Sequence, residues 1–245
     1  MFEDYDQIFF GGQALPCMVE KFPVIRKAQR KHTVFNVPGR NGNIYVQQDA
    51  FENVITPYQI FCGNGDVQAD WSDLAEILYQ EGYQTLSDID DPEHFRLAVF
   101  NGPVDAEYYW NQVGRTTLEF DCRPERFLLS GQTATEYPKV VDLYGNPVPF
   151  TINNPTAYTA KPLIQVTITA GGSGVITANG ETLTITAVPV SSFYLDCEKQ
   201  DAYIGTTNLN GYISGTFPVL KPGANTYVGD GDITKLTITP RFWEL

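Results

Sequence analysis

Histidine, methionine and long apolar runs are scarce in this sequence. Its 245 residues include two histidines, two methionines and four cysteines, and the formal net charge is −13. Two histidines leave few ways to build a histidine-dependent catalytic or zinc site. No apolar run approaches the roughly 20 residues of a membrane helix. The N-terminal stretch MFEDYDQIFF also lacks the basic region and apolar core of a secretory signal. We therefore expect no membrane insertion.

The acidic balance argues against specific nucleic-acid binding, because a protein that grips phosphates needs a basic face. One basic segment, Lys21 to His32, is the exception. It is interpreted either as a solvated face or as an electrostatic contact with an acidic partner, such as another copy of this chain. Direct nucleic-acid binding is the third alternative. The cysteines are far apart, so we expect four buried free thiols rather than disulfides: Cys17, Cys62, Cys122 and Cys197.

Motifs for known chemistries are missing as well. The sequence has no GxSxG, HExxH, Walker or CxxC pattern. The most metal-like cluster is Asp88, Asp90, Asp91, Glu93 and His94. Its spacing fits neither an EF-hand loop nor a zinc motif, so a polar loop is the better interpretation. We predict no catalytic residue, no metal site and no cofactor. Paired carboxylates for glycoside hydrolysis stay open, because their separation is a three-dimensional property.

Strand-forming residues are abundant and recur in short runs between glycine, proline and asparagine. This texture predicts a mainly β protein. Residues 1–130 form a first β-rich unit with one α-helix near 70–82. The helix follows from Asp70 as the N-cap, an apolar stripe at helical spacing, and Gly82 as the C-terminal cap.

The remaining chain predicts a linker and then a sandwich. Residues 131–160 are rich in proline, and their apolar residues follow neither the helical nor the strand period. This indicates a linker that runs into a first edge strand. Residues 161–245 alternate in short strands with frequent turns, as in a jelly-roll-like β-sandwich. The segment TPRFWEL at the C-terminus contains Phe242 and Trp243, which are costly to expose. We expect it to pack on the first domain or on a neighbour.

The stretch FNVPGRNGNIYV, Phe35 to Val46, has the Asn41-Gly42 pair of a β-hairpin between alternating apolar residues. It also carries Pro38, Gly39 and Arg40, which a two-residue turn does not need.

Five segments together carry a resemblance that covers almost the whole chain. They are VPGRNGNIYV, FDCRPERF, DAYIGTTNLNG, GTFPVLKPGANTY and LTITPRFWEL. In this order and spacing the chain resembles the distal tail proteins of long-tailed, siphovirus-type phages.

The resemblance implies an N-terminal β domain that assembles as a homo-hexameric ring, and a C-terminal galectin-like sandwich. Such a ring joins the tail-tube protein to the tail-associated tip protein and lets the genome pass. The implied location is the virion tail tip, after synthesis and assembly in the cytoplasm of the bacterial host. The acidic balance suits a channel that repels DNA phosphates.

A ring repeats one heterologous interface around its axis, which favours rigid loops with anchored polar groups. The candidate assembly contacts are therefore Pro38, Gly39, Arg40, Asn41 and Gly42. Arg40 offers a fork of donors to a neighbour; alternatively, it pins its own domain.

Two other functions stay open. The first is a carbohydrate-binding protein that recognises host cell-wall glycan through aromatic residues of the C-terminal sandwich, with Tyr203, Tyr212 and Tyr227 as candidates. The second is a cell-wall hydrolase. We expect a structural protein without enzymatic activity.

Overall fold

The computed structural model describes residues 7–24, 26–63, 66–105, 107–109 and 113–245. Residues 1–6, in which we expected no secretory signal, lie outside these ranges. The chain divides into two compact units between Arg126 and Phe127, with Leu245 counted in the first unit. We expected this boundary near residue 130.

The described part of the first unit contains ten strands and one helix. In chain order these are β1 Ile8–Phe10, β2 Gln13–Ala14, β3 Met18–Lys21, β4 Arg30–Phe35, β5 Ile44–Phe51, β6 Val54–Cys62, α1 Val67–Leu78, β7 Gln84–Asp88, β8 His94–Phe100, β9 Glu107–Tyr109 and β10 Val113–Leu128, which ends in the second unit.

One antiparallel sheet and the helix enclose the core of the first unit. The strand order is β2-β1-β7-β8-β10-β6-β3, and β9 also pairs with β10. Alternate residues of these strands point to one face, as the two-residue period of a strand requires. They pack with Leu74 and Leu78 of α1, which lie in the same buried cluster. Among the fully buried members are Ile8, Phe10, Ile60, Leu118 and Phe120.

The helix begins earlier than we expected. Asp66, not Asp70, is the N-cap, and its carboxylate accepts the Ala69 N–H at 3.3 Å. Asp70 lies inside the first turn, where an acidic side chain also favours the helix dipole. The C-cap is Tyr79, and Gly82 follows with φ of 75°. Both aspartates fit the rules for helix starts, so the local sequence left the choice open.

The second unit contains twelve further strands and two short 3-10 helices. These are η1 Leu129–Gln132, β11 Thr135–Pro138, β12 Phe150–Asn154, β13 Leu163–Ile168, β14 Gly174–Ala178, β15 Glu181–Ile185, β16 Ser192–Asp196, β17 Asp201–Ile204, β18 Thr207–Asn208, η2 Asn210–Tyr212, β19 Ile213–Gly215, β20 Gly223–Gly231, β21 Ile233–Thr239 and β22 Trp243–Glu244.

Two antiparallel sheets form a sandwich in this unit. One has the order β11-β21-β13-β16-β17-β18 and the other β12-β20-β14-β15-β19. Their inner residues make one apolar core, which includes Ile164, Ile176, Leu183, Phe193 and Ile238. The expected mainly β fold is confirmed. The stretch 131–160 supplies more than a linker, because β11 and β12 form an edge of each sheet, where proline is tolerated.

The aromatic residues of the C-terminal segment, which we expected to pack on the first domain or on a neighbour, pack within the second unit, whereas Leu245 is counted in the first unit. Phe242 joins the sandwich core, and its carbonyl accepts the Leu128 N–H at 2.9 Å. Trp243 stacks on Tyr158 with ring centroids 4.5 Å apart and donates its indole N–H to the Thr159 carbonyl. The rings of Phe242 and Trp243 are therefore packed against residues of the second unit.

All four cysteines are buried free thiols. In the described part of the chain, no helix has the length and apolar character needed to cross a membrane.

Candidate assembly surfaces

The hairpin of β4 and β5 forms a two-stranded sheet that is separate from the main sheet of the first unit. Within the described chain, its two strands pair only with each other, from Arg30 opposite Phe51 to Phe35 opposite Ile44. A two-stranded hairpin alone in water is marginally stable. This arm is therefore suited to gain stability from a partner surface.

The predicted contact loop forms the tip of this hairpin. The Arg40 N–H donates to the Val37 carbonyl at 3.2 Å, and Gly39 has φ of 81°. A proline followed by a residue of positive φ is the pattern of a type II turn. The loop thus has a turn at Pro38-Gly39, and the expected Asn41-Gly42 pair follows in a bend in which Gly42 has a φ of 78°.

The five loop residues, Pro38, Gly39, Arg40, Asn41 and Gly42, are all exposed. Within the described residues, the Arg40 guanidinium has neither a hydrogen bond nor an ion pair. By contrast, Arg30 at the other end of the hairpin pairs with Asp49 at 3.6 Å. No described contact of the Arg40 side chain supports the alternative in which it pins its own domain. The guanidinium is available to an external acceptor.

The hairpin also exposes apolar side chains. Phe35 is 52% exposed and Tyr45 is 61% exposed, and they are accompanied by Val34, Val37, Ile44 and Val46. Residues 26–51 hold five lysine or arginine residues and one acidic residue, although the whole chain holds 16 and 29. The arm is thus apolar and cationic on an acidic protein. Such surfaces mark interaction sites.

The three tyrosines proposed for glycan binding do not form one surface. Tyr227 lies in β20 with 0% exposure and donates its hydroxyl to the Val219 carbonyl, so its role as a surface glycan contact was wrong. Tyr203 is half-buried on β17 and stacks on Tyr194 of β16, with ring centroids 5.8 Å apart. Tyr212 is exposed in η2.

A second exposed tip was missed in the sequence. Leu143 is 101% and Tyr144 89% exposed, at the end of a loop that the sequence pattern predicted as linker. Asp142 orders this loop, because one carboxylate oxygen accepts the N–H groups of Tyr144 and Asn146, both at 2.8 Å. The DLYGN stretch, an Asx-type turn pattern, could have indicated it.

The comparison with solved structures bears on the whole chain. The crystal structure of the Dit protein (gp 19.1) of phage SPP1, described as a hub of the adsorption apparatus in phages that infect Gram-positive bacteria, superposes with a TM-score of 0.70. The match covers 98% of this chain and 99% of that one. This chain has the distal tail protein fold.

A second match is a chain of the phage P2 baseplate in its activated conformation with calcium. Its TM-score is 0.51, and 91% of this chain and 90% of that chain are covered. Sequence identity is 12% with the SPP1 protein and 9% with the P2 chain. No family model and no curated protein sequence matches. At these identities the likeness concerns the fold, and the five-segment resemblance is confirmed at that level.

Proposed function

We propose that the protein is a structural hub of a phage tail tip. It assembles as a hexameric ring that joins the tail tube to the tail-tip protein and lets the genome pass. The observation that carries this proposal is the end-to-end match of both units to a hub protein of an adsorption apparatus. A partial match would have supported a shared module only, since function does not follow from an isolated fold.

The hairpin arm supports an assembly role. It combines exposed apolar area, an Arg40 side chain without a partner among the described residues, and a local excess of cations on a chain whose net charge is −13. Each subunit of a ring must offer two different surfaces, one to each neighbour. A cationic arm on one subunit and an acidic surface on the next satisfy that requirement. The loop 38–42 then contacts a second copy of the chain.

A structural hub needs no catalytic chemistry, and no metal-binding group lies among the described residues. They contain no group of three or more histidine, cysteine or acidic side chains that could hold a metal. We propose that the protein is not an enzyme and that it acts at the virion tail tip, with the tube and tip proteins as partners.

The mass of the purified protein tests the ring. We expect light scattering over a concentration series to find a species of about six times 27.3 kDa. Arg40→Ala should shift this species toward monomer without changing the melting temperature, because the side chain is exposed. Lys221→Ala, which removes another exposed cation, is the control. Full-sized rings of Arg40→Ala would contradict the role of this loop, and a monomer at every concentration would contradict self-assembly.

Glycan binding by the sandwich is the second candidate. The Tyr194–Tyr203 stack on β16 and β17 favours it, because both rings are only partly buried and aromatic faces suit sugar rings. Binding to purified cell-wall glycan that is lost in Tyr203→Ala or Tyr212→Ala would support this function. Tyr227→Phe is the matched control, since that ring is buried. Equal binding by all variants, or none by the wild type, would contradict it.

A further inference from the structure

The first unit contains a cavity of about 250 Å³ with several charged side chains on its wall. It lies over strands β6, β7 and β8 and is lined by Tyr58, Asp88, Asp91, His94 and Arg96, with Arg126 and the exposed Arg26 also on its wall. Given the roughly 30 Å³ that a water occupies in the liquid, the space equals roughly eight waters. It is too small for a drug-sized ligand and large enough for a small ion or one polar side chain.

The acidic groups of the cavity are mostly engaged. Asp91 accepts a hydrogen bond from Arg126 Nη2, and its other oxygen lies 2.7 Å from His94 Nδ1. Burial alone would raise the pKa of Asp91, but His94 and Arg126 outweigh burial and lower it. Asp88 accepts the Tyr58 hydroxyl at 2.5 Å and the Asp91 N–H at 3.0 Å. These carboxylates are satisfied without a ligand.

One donor atom in the cavity lacks a partner among the described residues. The Nη1 atom of Arg96 is buried and has no hydrogen-bond partner in that part of the chain. Burial also lowers the pKa of this guanidinium, although arginine stays charged in proteins. A buried donor without a partner costs free energy, and more so when it is charged. Such exceptions are rare in native proteins and call for an explanation.

Arg26 and the third acidic residue, Asp90, also line the cavity, and both are exposed to solvent. A ligand that enters beside Arg26 therefore meets the buried Nη1 donor of Arg96 at the wall. Arginine binds carboxylate and phosphate groups through paired N–H donors. Neither a cation nor an apolar group would satisfy Arg96.

We propose that this cavity binds a small anion of carboxylate or phosphate chemistry, with Arg96 as its buried donor and Arg26 at its entrance. The Arg126–Asp91–His94 cluster keeps the wall in place. The anion is either free in solution or an acidic side chain of a second copy of this chain. The proposal does not depend on the hexameric ring.

Thermal unfolding of the full chain tests the site. At constant ionic strength, sodium phosphate or succinate replaces sodium chloride. A ligand that binds only the folded state raises the melting temperature with the logarithm of its concentration. Arg96→Met should lose this increment, with at least about tenfold weaker binding. Phosphate also stabilises proteins generally. The rise in melting temperature from this general effect should be equal in the wild type and Arg96→Met.

Two more variants complete the design. Arg115→Gln removes an arginine that is paired with Glu20 at 3.1 Å on the surface of the same unit, and it should respond like the wild type. Arg26→Gln removes an exposed side chain, so it should fold normally and bind phosphate a few-fold more weakly. This variant keeps the proposal testable if Arg96→Met does not fold.

Mass measurements distinguish the two sources of the anion. If an acidic side chain of a second copy fills the cavity, free phosphate should dissociate the oligomer, and Arg96→Met should associate more weakly than Arg115→Gln. If the anion is free, phosphate should raise the melting temperature without changing the mass of the oligomer. The proposal is overturned if phosphate affects neither stability nor mass beyond chloride, or if Arg96→Met responds like the wild type.

Discussion

Arg241 and Asp196 form an ion pair across 45 residues of the second unit, with Arg241 Nη1 2.9 Å from Asp196 Oδ1. The Asp196 side chain is 3% exposed, and Arg241 has a left-handed φ of 56°. The backbone N–H groups of Glu198 and Lys199 also donate to Asp196. This pair ties the C-terminal segment to the end of β16.

Arg241→Gln should destabilise the protein, because it leaves a buried carboxylate without its main partner. We expect a loss of about 2–3 kcal/mol in the free energy of unfolding, measured by urea denaturation. The control is Lys235→Gln, which breaks an exposed pair with Glu136 and should cost less than about 0.5 kcal/mol. Similar losses in the two variants would contradict a special role for the buried pair.

Asp196 should contribute to the acid sensitivity of folding. Burial alone would raise its pKa, but the hydrogen bond and charge of Arg241 outweigh burial and hold the pKa below its ordinary value of 3.8. The folded state therefore binds this proton less readily than the unfolded state. The stabilisation is present above about pH 3.8 and is lost as the pH falls through the lower, folded-state pKa.

The corresponding measurement compares Asp196→Asn with the wild type at a series of pH values. The variant should be less stable at neutral pH, and the difference between the two should shrink in acid. A difference that is constant from pH 7 to pH 2 would show that the carboxylate charge is not responsible.

Gly131→Ala should weaken the attachment of the C-terminal segment. A Cβ at this position would lie 2.5 Å from the Phe242 backbone nitrogen, which is closer than real contacts allow. We expect a loss of about 1–3 kcal/mol, as for other overpacked sites. Gly211→Ala, which has no atom within 4 Å of the new Cβ, should stay within about 0.5 kcal/mol of the wild type. Equal stability of the two variants would contradict this close packing.

The exposed tip at Leu143 and Tyr144 should tolerate polar replacement. Leu143→Ser and Tyr144→Ser should each change the free energy of unfolding by less than about 0.5 kcal/mol, because neither side chain is buried. Asp142→Ala should instead speed hydrogen exchange at the Tyr144 and Asn146 amides, which it holds. A clear loss of stability in the serine variants would show that the tip packs against another part of the protein.

Much of the fold could be predicted because local sequence patterns determine where strands and turns form. The alternation of Ile164, Val166 and Ile168 predicts a strand with one buried face, and all three residues are buried. The Asn179-Gly180 pair predicts the turn between β14 and β15, and both residues have the positive φ that a type I′ turn requires. The helix was predicted from its stripe, although its start was placed at the wrong aspartate.

The sequence by itself determined the mainly β class, the turns, the scarcity of groups for catalysis and the acidic balance, because these depend on composition and neighbouring residues. Only the tertiary structure decided which side chains meet across the sheets. It buried Tyr227, paired Arg241 with Asp196, and placed Arg96 at the wall of a cavity. These contacts depend on the pairing register between strands that are distant in sequence. A local pattern predicts the two-residue period of a strand but not which strand lies next to it.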